Sequence, residues 1–525
     1  MSNKNLVLVI CGHQGYIRHI DEDRDYGPEN DILFSAISQT YLPLVNLLNK
    51  LKDDGISFKI SLVLSPILCS LLSDAIIQEQ YIQWLDRRIA FGEKEVLRLK
   101  GDSLLLKNAE ACLEKAKQDK IDFEECYNRN LLREFSRLAK SGNVELLATA
   151  GSYAFLPHYS DMTEVLNAQI ETGIYSHKYF FGSAPEGFWL PYMGYSDGIE
   201  KNLRSYGINY TILDSHGILF SKETPDFGIF KPVRSNNSLV LFARDEETPS
   251  DIENPEFGYM NNPVYKAQNR DVCFELSSSE IMDFITENKA RANSLYRYWA
   301  REKENSVVYD KSIALEQAKK DAISFLTAKN NKLNEAAKLV DGDVSLVCTL
   351  DASVLGQDWA EGIYWLENVI RENKESSFVS CSSLIVNQFK LPKITPYVSA
   401  NSGTGYGEDL LDSSNSWMIR YTRKMGERMV DLAERFPSDT GLKARLLNLG
   451  AKELMLAQSA EWPKMIHDGN FPEYVEDYFK SCVLAFTAVF DSLGSNTVST
   501  EWLTSLEKKH CLFPWMNYRI FSKKI

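Results

Sequence analysis

A chain of 525 residues is long enough to bury one large core and a smaller companion domain. Apolar residues supply 44% and charged residues 25%, the balance of a globular protein, and a formal net charge of −14 excludes the basic footprint of a nucleic-acid partner. The nine scattered cysteines read as reduced thiols. No run reaches the ~18 apolar residues of a membrane span, and Asn5–Cys11 opens straight into polar sequence instead of forming a signal peptide, so a cytoplasmic location and no membrane partner are expected.

Short β-branched or aromatic runs predict strands at Leu6–Cys11, Phe58–Leu64, Val144–Thr149, Gly187–Leu190, Tyr210–Leu213, Leu239–Phe242, Val344–Leu350 and Phe378–Val386. Helical spacing lies between them, at Tyr41–Lys52, Leu131–Lys140, Glu164–Tyr179 and Ser312–Leu326. Strands alternating with helices imply an α/β fold around a mostly parallel sheet, doubly wound or closed as a barrel. A charged helical excursion from about 83 to 123 and a loop-then-helix insertion from about 248 to 305 interrupt the rhythm. After the glycine-rich turn Asn401–Glu408 the strand signals fade, so the expected division is a barrel over 1–395 and a helical domain over 396–525.

In a parallel barrel the chemistry gathers at the C-terminal ends of the strands. Those positions carry Cys11-Gly12-His13, Ser65-Pro66, Gly151-Ser152-Tyr153, Pro191-Tyr192, Asp214-Ser215-His216, Arg244-Asp245 and Asp351, with Trp189 and Trp359 close in sequence. Flat rings covering a pyranose while carboxylate, imidazole and guanidinium groups bind its hydroxyls would make a sugar site. Taken singly, each residue has an equally good structural reading: a histidine after a strand is commonly a satisfied structural group, and the tryptophans can pack the barrel rim.

Read together, the motifs resemble glycoside hydrolase family 57, of the α-1,4-glucan branching enzyme kind. CGHQGYIRH at 11–19 is similar to the family's HxHxP(F/Y)(V/I)RH opening, and ILFSAISQTYLPLV at 32–45 to its WLFEAIxExYIPLL helix. GFWLPYMGY at 187–195 resembles GFWLPECAY, DSHG at 214–217 resembles DxHG, and Ala243–Asp245 with Gly258-Tyr259 resembles GRD…GY. LDASVLGQDWAEG at 350–362 resembles YDxELFGHWWxEG, and AQSAEWP at 457–463 resembles AQSSDWP. The resemblance implies an incomplete (β/α)7 barrel, a helical insertion and a C-terminal helical domain that helps close a glucan site. It also implies a retaining reaction in which a nucleophilic Glu and an acid/base Asp act as a pair, with no cofactor or metal.

By that correspondence Asp351 stands at the acid/base position, and Tyr192 stands where the nucleophilic Glu belongs. A phenol with a pKa of ~10 gives little phenolate at neutral pH. Other family positions are replaced too, with Cys11 and Tyr153 in place of two histidines and with Ser353, Gln357, Asp358 and Ser402 along the later motifs. The retained positions are His13, Trp189, Asp214, His216, Arg244, Asp245, Trp359, Glu361 and Trp462, with Glu461 for an Asp; all of them except Glu361 are expected to bind substrate. The leading expectation is a catalytically impaired homologue that binds an α-glucan, a maltooligosaccharide or a partner protein in the inherited cleft, unless Tyr153 and Tyr192 fill it. A second reading keeps activity, with Asp351 as acid/base and a second carboxylate from Asp358, Glu186, Asp197 or Asp214. A third places a metal near His13 and His19, as in polysaccharide deacetylases of related barrel shape.

Overall fold

The computed structural model describes residues 3–20, 29–285, 290–302, 306–495, 497 and 499–524. Nine strands form one sheet: β1 (Lys4–Gly12), β2 (Ile60–Leu64), β3 (Val144–Thr149), β4 (Gly187–Trp189), β5 (Tyr210–Leu213), β6 (Val233–Arg234), β7 (Val240–Ala243), β8 (Val344–Asp351) and β9 (Ser377–Phe378). The order β6-β7-β5-β4-β3-β2-β1-β8 is parallel apart from the β6–β7 pair. The two ends of the sheet touch at a bridge between Arg244 and Val347, where Asp245 N–H donates to the Val347 carbonyl at 2.7 Å. The curled sheet therefore makes an incomplete barrel of seven parallel strands, as the family resemblance implied; the alternation of strands and helices had left a doubly wound sheet open as well.

Alternate residues fill the lumen, as barrel geometry requires. Val7, Val9 and Cys11 of β1 meet Val63, Leu147, Trp189, Ile212, Phe242 and Val347, with Tyr153 and Met193 at the top of the same cluster. The predicted strand Phe378–Val386 shrinks to Ser377–Phe378, which pairs with Asn5 and Leu6 in the part of β1 that β2 leaves free. Beyond it the chain turns into single 3-10 turns. Helix Lys311–Leu339 runs well past the expected Leu326.

The first excursion is a pair of helices, Ala75–Arg98 and Ser103–Ile121, each started by an Asp side chain that accepts two backbone N–H groups. In the second, the buried Asp271 carboxylate gathers the Cys273, Ser294 and Leu295 N–H groups and the Ser294 hydroxyl, a knot that holds a segment with little regular structure. The C-terminal region consists of helices Trp417–Arg435, Gly441–Ala457, Glu461–Asp468, Pro472–Ser495 and Thr500–Lys509. It joins the barrel at its top, where Ala460 N–H donates to the Tyr153 carbonyl at 3.3 Å and Gln169 donates to Gln458 at 2.9 Å.

Candidate functional site

At the ends of β1, β3 and β4 the rim is neutral and closed upon itself. The Tyr153 hydroxyl accepts from Trp189 Nε1 at 3.3 Å and shares a hydrogen bond with Cys11 Sγ at 3.2 Å. The His13 ring stacks on Tyr153 with centroids 4.0 Å apart and planes 13° from parallel, and Tyr192 meets the other side edge-on at 5.7 Å. Tyr153 and Tyr192 both lie at positive φ, 56° and 52°, a conformation that costs a non-glycine residue energy and persists where the surroundings fix it. Burial raises the Cys11 thiol, which stays protonated, and raises both phenols well above their ordinary value. For Tyr192 the carboxylates of Glu461 and Asp351 add to that effect. No general base contacts the Tyr192 hydroxyl among the described residues.

His13 sits between this unit and the C-terminal helices. Its Nδ1 lies 2.9 Å from the Ser65 hydroxyl and its Nε2 lies 3.5 Å from Glu461 Oε2. Burial lowers the imidazole to about 3, so His13 is neutral at physiological pH. Glu461 is pushed up to about 7 by burial and by Asp468 and Asp351, with Lys464 opposing.

Across the rim, β5, β7 and β8 present charged groups. Asp214 binds Arg244 Nη2 at 2.5 Å and His216 Nδ1 at 2.8 Å, which fixes both side chains. The second nitrogen of His216 lies 2.9 Å from the Gly405 carbonyl. Gly405, at φ +110°, belongs to the glycine-rich turn; a Cβ there would stand 3.1 Å from the imidazole. The same turn binds the Tyr192 carbonyl through Asn401 N–H at 2.8 Å and sets Tyr406, 48% exposed, edge-on to His216. In the sequence this segment suggests a domain boundary and, at Ser402, a replaced family position. It straps the two halves of the rim together.

Asp351 ends β8 opposite Cys11 in register. Its side chain is exposed at the rim. Desolvation by the surrounding protein and the neighbouring Asp358 raise its carboxyl, Arg244 opposing. Asp358 is exposed, and Glu253, at the end of helix Glu247–Glu253, is pushed up to about 7 by burial, Asp351 and Asp358. Sequence alone did not single out Glu253, because nothing in a seven-residue helix shows which end faces β8.

Several expected ligand-binding residues lie elsewhere. Asp245 is fully buried and binds Lys329 at 2.7 Å, Lys332 at 2.6 Å and the Thr248 hydroxyl at 2.7 Å, so it ties the barrel to helix Lys311–Leu339 and does not pair with Arg244. Trp359 is fully buried against Tyr265 and Trp365, Trp462 donates to the Leu456 carbonyl beside Tyr478, and Trp189 is 2% exposed. None of the three rings offers a face to a sugar. Gln357 Nε2 reaches the Ile32 carbonyl at 3.3 Å, and Glu361 receives Lys266 N–H at 3.4 Å. No group of three His, Cys, Asp or Glu residues able to hold a metal ion occurs among the described residues. His19 lies 3.3 Å from Glu29. No helix among the described residues is long and apolar enough to cross a membrane.

Comparison with known proteins identifies the fold and the family. The profile of glycosyl hydrolase family 57 matches residues 7–385, and that of the 1,4-alpha-glucan branching enzyme C-terminal region matches 421–521. A 1,4-alpha-glucan branching enzyme of Thermococcus kodakarensis is 23% identical over 94% of this chain and 74% of its own length. The crystal structure of the alpha-amylase AmyC from Thermotoga maritima superposes with a TM-score of 0.92 at 28% identity, covering both chains fully. That of a family 57-type branching enzyme from Pyrococcus horikoshii gives 0.87 at 22% identity, covering all of this chain and 97% of the other. A curled barrel with a C-terminal helical region, and a family profile spanning most of the chain, lead to one assignment: the protein belongs to glycosyl hydrolase family 57 and is related to α-1,4-glucan branching enzymes and amylases.

Proposed function

We propose that this chain binds an α-1,4-glucan or maltooligosaccharide in the cleft above Asp351 and does not carry out the covalent, two-carboxylate reaction of a retaining enzyme. A retaining site needs two carboxyl groups ~5–5.5 Å apart, one of them an ionised nucleophile. The observation that carries the proposal is the neutral Cys11–Tyr153–Trp189 unit with Tyr192 against it. The positions that would hold and polarise a nucleophile here hold each other. Arg244 and Asp351 still offer a donor and an acceptor to sugar hydroxyls, with Asp214 holding Arg244 and His216 holding the glycine-rich turn beside them. The Thermococcus kodakarensis branching enzyme, of the same fold, has been crystallised in complex with glucose, which supports a sugar as the ligand class.

The test is incubation of the pure chain with amylose and maltoheptaose while reducing ends and new α-1,6 linkages are followed. Neither product is expected, whereas Tyr192→Glu restores a carboxylate at the nucleophile position and gives slow turnover if the rest of the cleft is intact. Turnover by the wild type that Asp351→Asn abolishes overturns the proposal.

One observation favours a second reading: Asp351 and Glu461 both carry raised carboxyl pKa values beside one cleft. Asp351 would protonate the glycosidic oxygen as the C1–O bond breaks, while Glu461 takes a proton from the water whose oxygen bonds to C1. That hydrolysis inverts the anomeric centre. The β-anomer as first product, seen by proton NMR, identifies it; the α-anomer or no product excludes it.

A further inference from the structure

A second feature lies on the far side of the β1 loop from the cleft. Helix Thr163–Phe181 carries Tyr175 and Tyr179 one turn apart, 55% and 61% exposed, and Tyr179 meets the Trp515 ring at 4.4 Å with planes 37° apart. This bent aromatic shelf ends in a hollow of about 240 Å³, whose wall includes Tyr179, Phe180, Tyr16, Ser73, Arg18 and Asp74. Among the described residues Arg18 and Asp74 are the only charged ones in that wall, and they pair with each other at 3.0 Å. The Asp74 carboxylate also accepts the Ile76 and Ile77 N–H groups and the Cys511 thiol, while Arg18 Nη1 donates to the Lys508 and Lys509 carbonyls. Both charges are thus spent inside the protein.

Among the described residues the hollow has mixed polar and apolar walls, Ser70 and Ser73 beside Leu71 and Leu512, no unpaired charge and a lip of large exposed rings, which suits a neutral polyhydroxylated ligand. A phosphate or an ammonium group would find no opposing charge. A protein partner would be expected to cover a wider apolar area than this shelf. Resting on the reading of this chain as an α-glucan binder, we infer that the Tyr179–Trp515 shelf and the Arg18–Asp74 hollow form a second α-glucan site. The rings would cover pyranose faces, and the hollow would take sugar hydroxyls at one end of the bound segment. Arg18 and His13 stand on the same short loop, so the site holds a polymer beside the cleft.

The test is affinity electrophoresis of the full chain in gels containing amylopectin, comparing wild type, Tyr179→Ala, Tyr179→Phe and a cleft variant, His216→Ala. Tyr179 is exposed, so its truncation leaves the fold in place, as an unchanged melting curve will show. The expected result is that Tyr179→Ala weakens polymer retention about tenfold and Tyr179→Phe restores most of it, while maltotriose binding in the cleft, read by calorimetry, is unchanged. Retention lost only in His216→Ala overturns the shelf site and leaves the cleft reading standing. Retention lost only in Tyr179→Ala, without maltotriose binding, supports the shelf and overturns the cleft. A wild type that is not retained overturns the shelf site, and failure to bind maltotriose as well overturns both. A change from dimer to monomer in Tyr179→Ala, by light scattering, makes the shelf a self-interface and overturns the glucan assignment.

Discussion

The two halves of the barrel rim are built in opposite ways. Around β1, β3 and β4 the polar positions are filled by Cys11, Tyr153, Trp189 and Tyr192, which satisfy one another and continue the lumen packing upward. Around β5, β7 and β8 the charged groups stay in place, fixed by the Asp214 carboxylate between Arg244 and His216 and open at Asp351. One half is packed as core and the other presents charged groups. The closed half leaves none of Cys11 Sγ, Tyr153 Oη and Trp189 Nε1 without a partner.

The largest effects should come from breaking the closed half. Tyr153→Ala removes the ring stacked on His13 and the partner of both Cys11 and Trp189; a loss of about 3–5 kcal/mol is expected, read as a lower urea midpoint. Asp245→Ala should cost about 1.5–3 kcal/mol, because the buried Lys329 ammonium keeps Asp251 but loses its fully buried partner. A matched loss in the neighbouring Arg244→Ala would contradict the separate duties given to these two residues.

In the open half the balance should reverse. His216→Ala is expected to weaken maltoheptaose binding about tenfold, or ~1.4 kcal/mol, while the urea midpoint moves little. Stability falling together with affinity would put His216 in the core.

A smaller effect separates the halves by pH. Glu461, pushed up to about 7 from an ordinary carboxylate value, binds a proton more tightly in the folded chain than in the unfolded one. Its contribution is therefore fully present at low pH and is lost as pH rises from about 4.5 to about 7. Glu461→Gln should remove that dependence, so the difference in urea midpoint between variant and wild type grows in favour of the variant across this window. A flat difference would mean that Glu461 titrates normally. The smallest effect is chemical: buried Cys11 should resist alkylation at pH 8, while exposed Cys126 and Cys511 are labelled.

Much of the sheet was legible because strands covered on both sides read as continuous apolar runs, as at Leu6–Cys11 and Val344–Leu350. The length of β9 was not, since it depends on how much of β1 its other partners leave free. At the site, sequence order identified the strand-end residues, but it could not distinguish Arg244 from Asp245, which leave one strand end in opposite directions. Trp359 follows the exposed Asp358 and is wholly interior. The role of the glycine-rich strap was equally hidden, because its hydrogen bonds reach Tyr192 and His216 across about two hundred residues of chain.

The central claim is that the open half binds a glucan that the closed half cannot cleave, and titration calorimetry with maltoheptaose tests it most directly. Each injection into the wild-type chain should give a heat that saturates with sites and returns to baseline, with the sugar recovered unchanged from the cell. A continuous heat that persists until the sugar is consumed, and disappears in Asp351→Asn, would contradict the account.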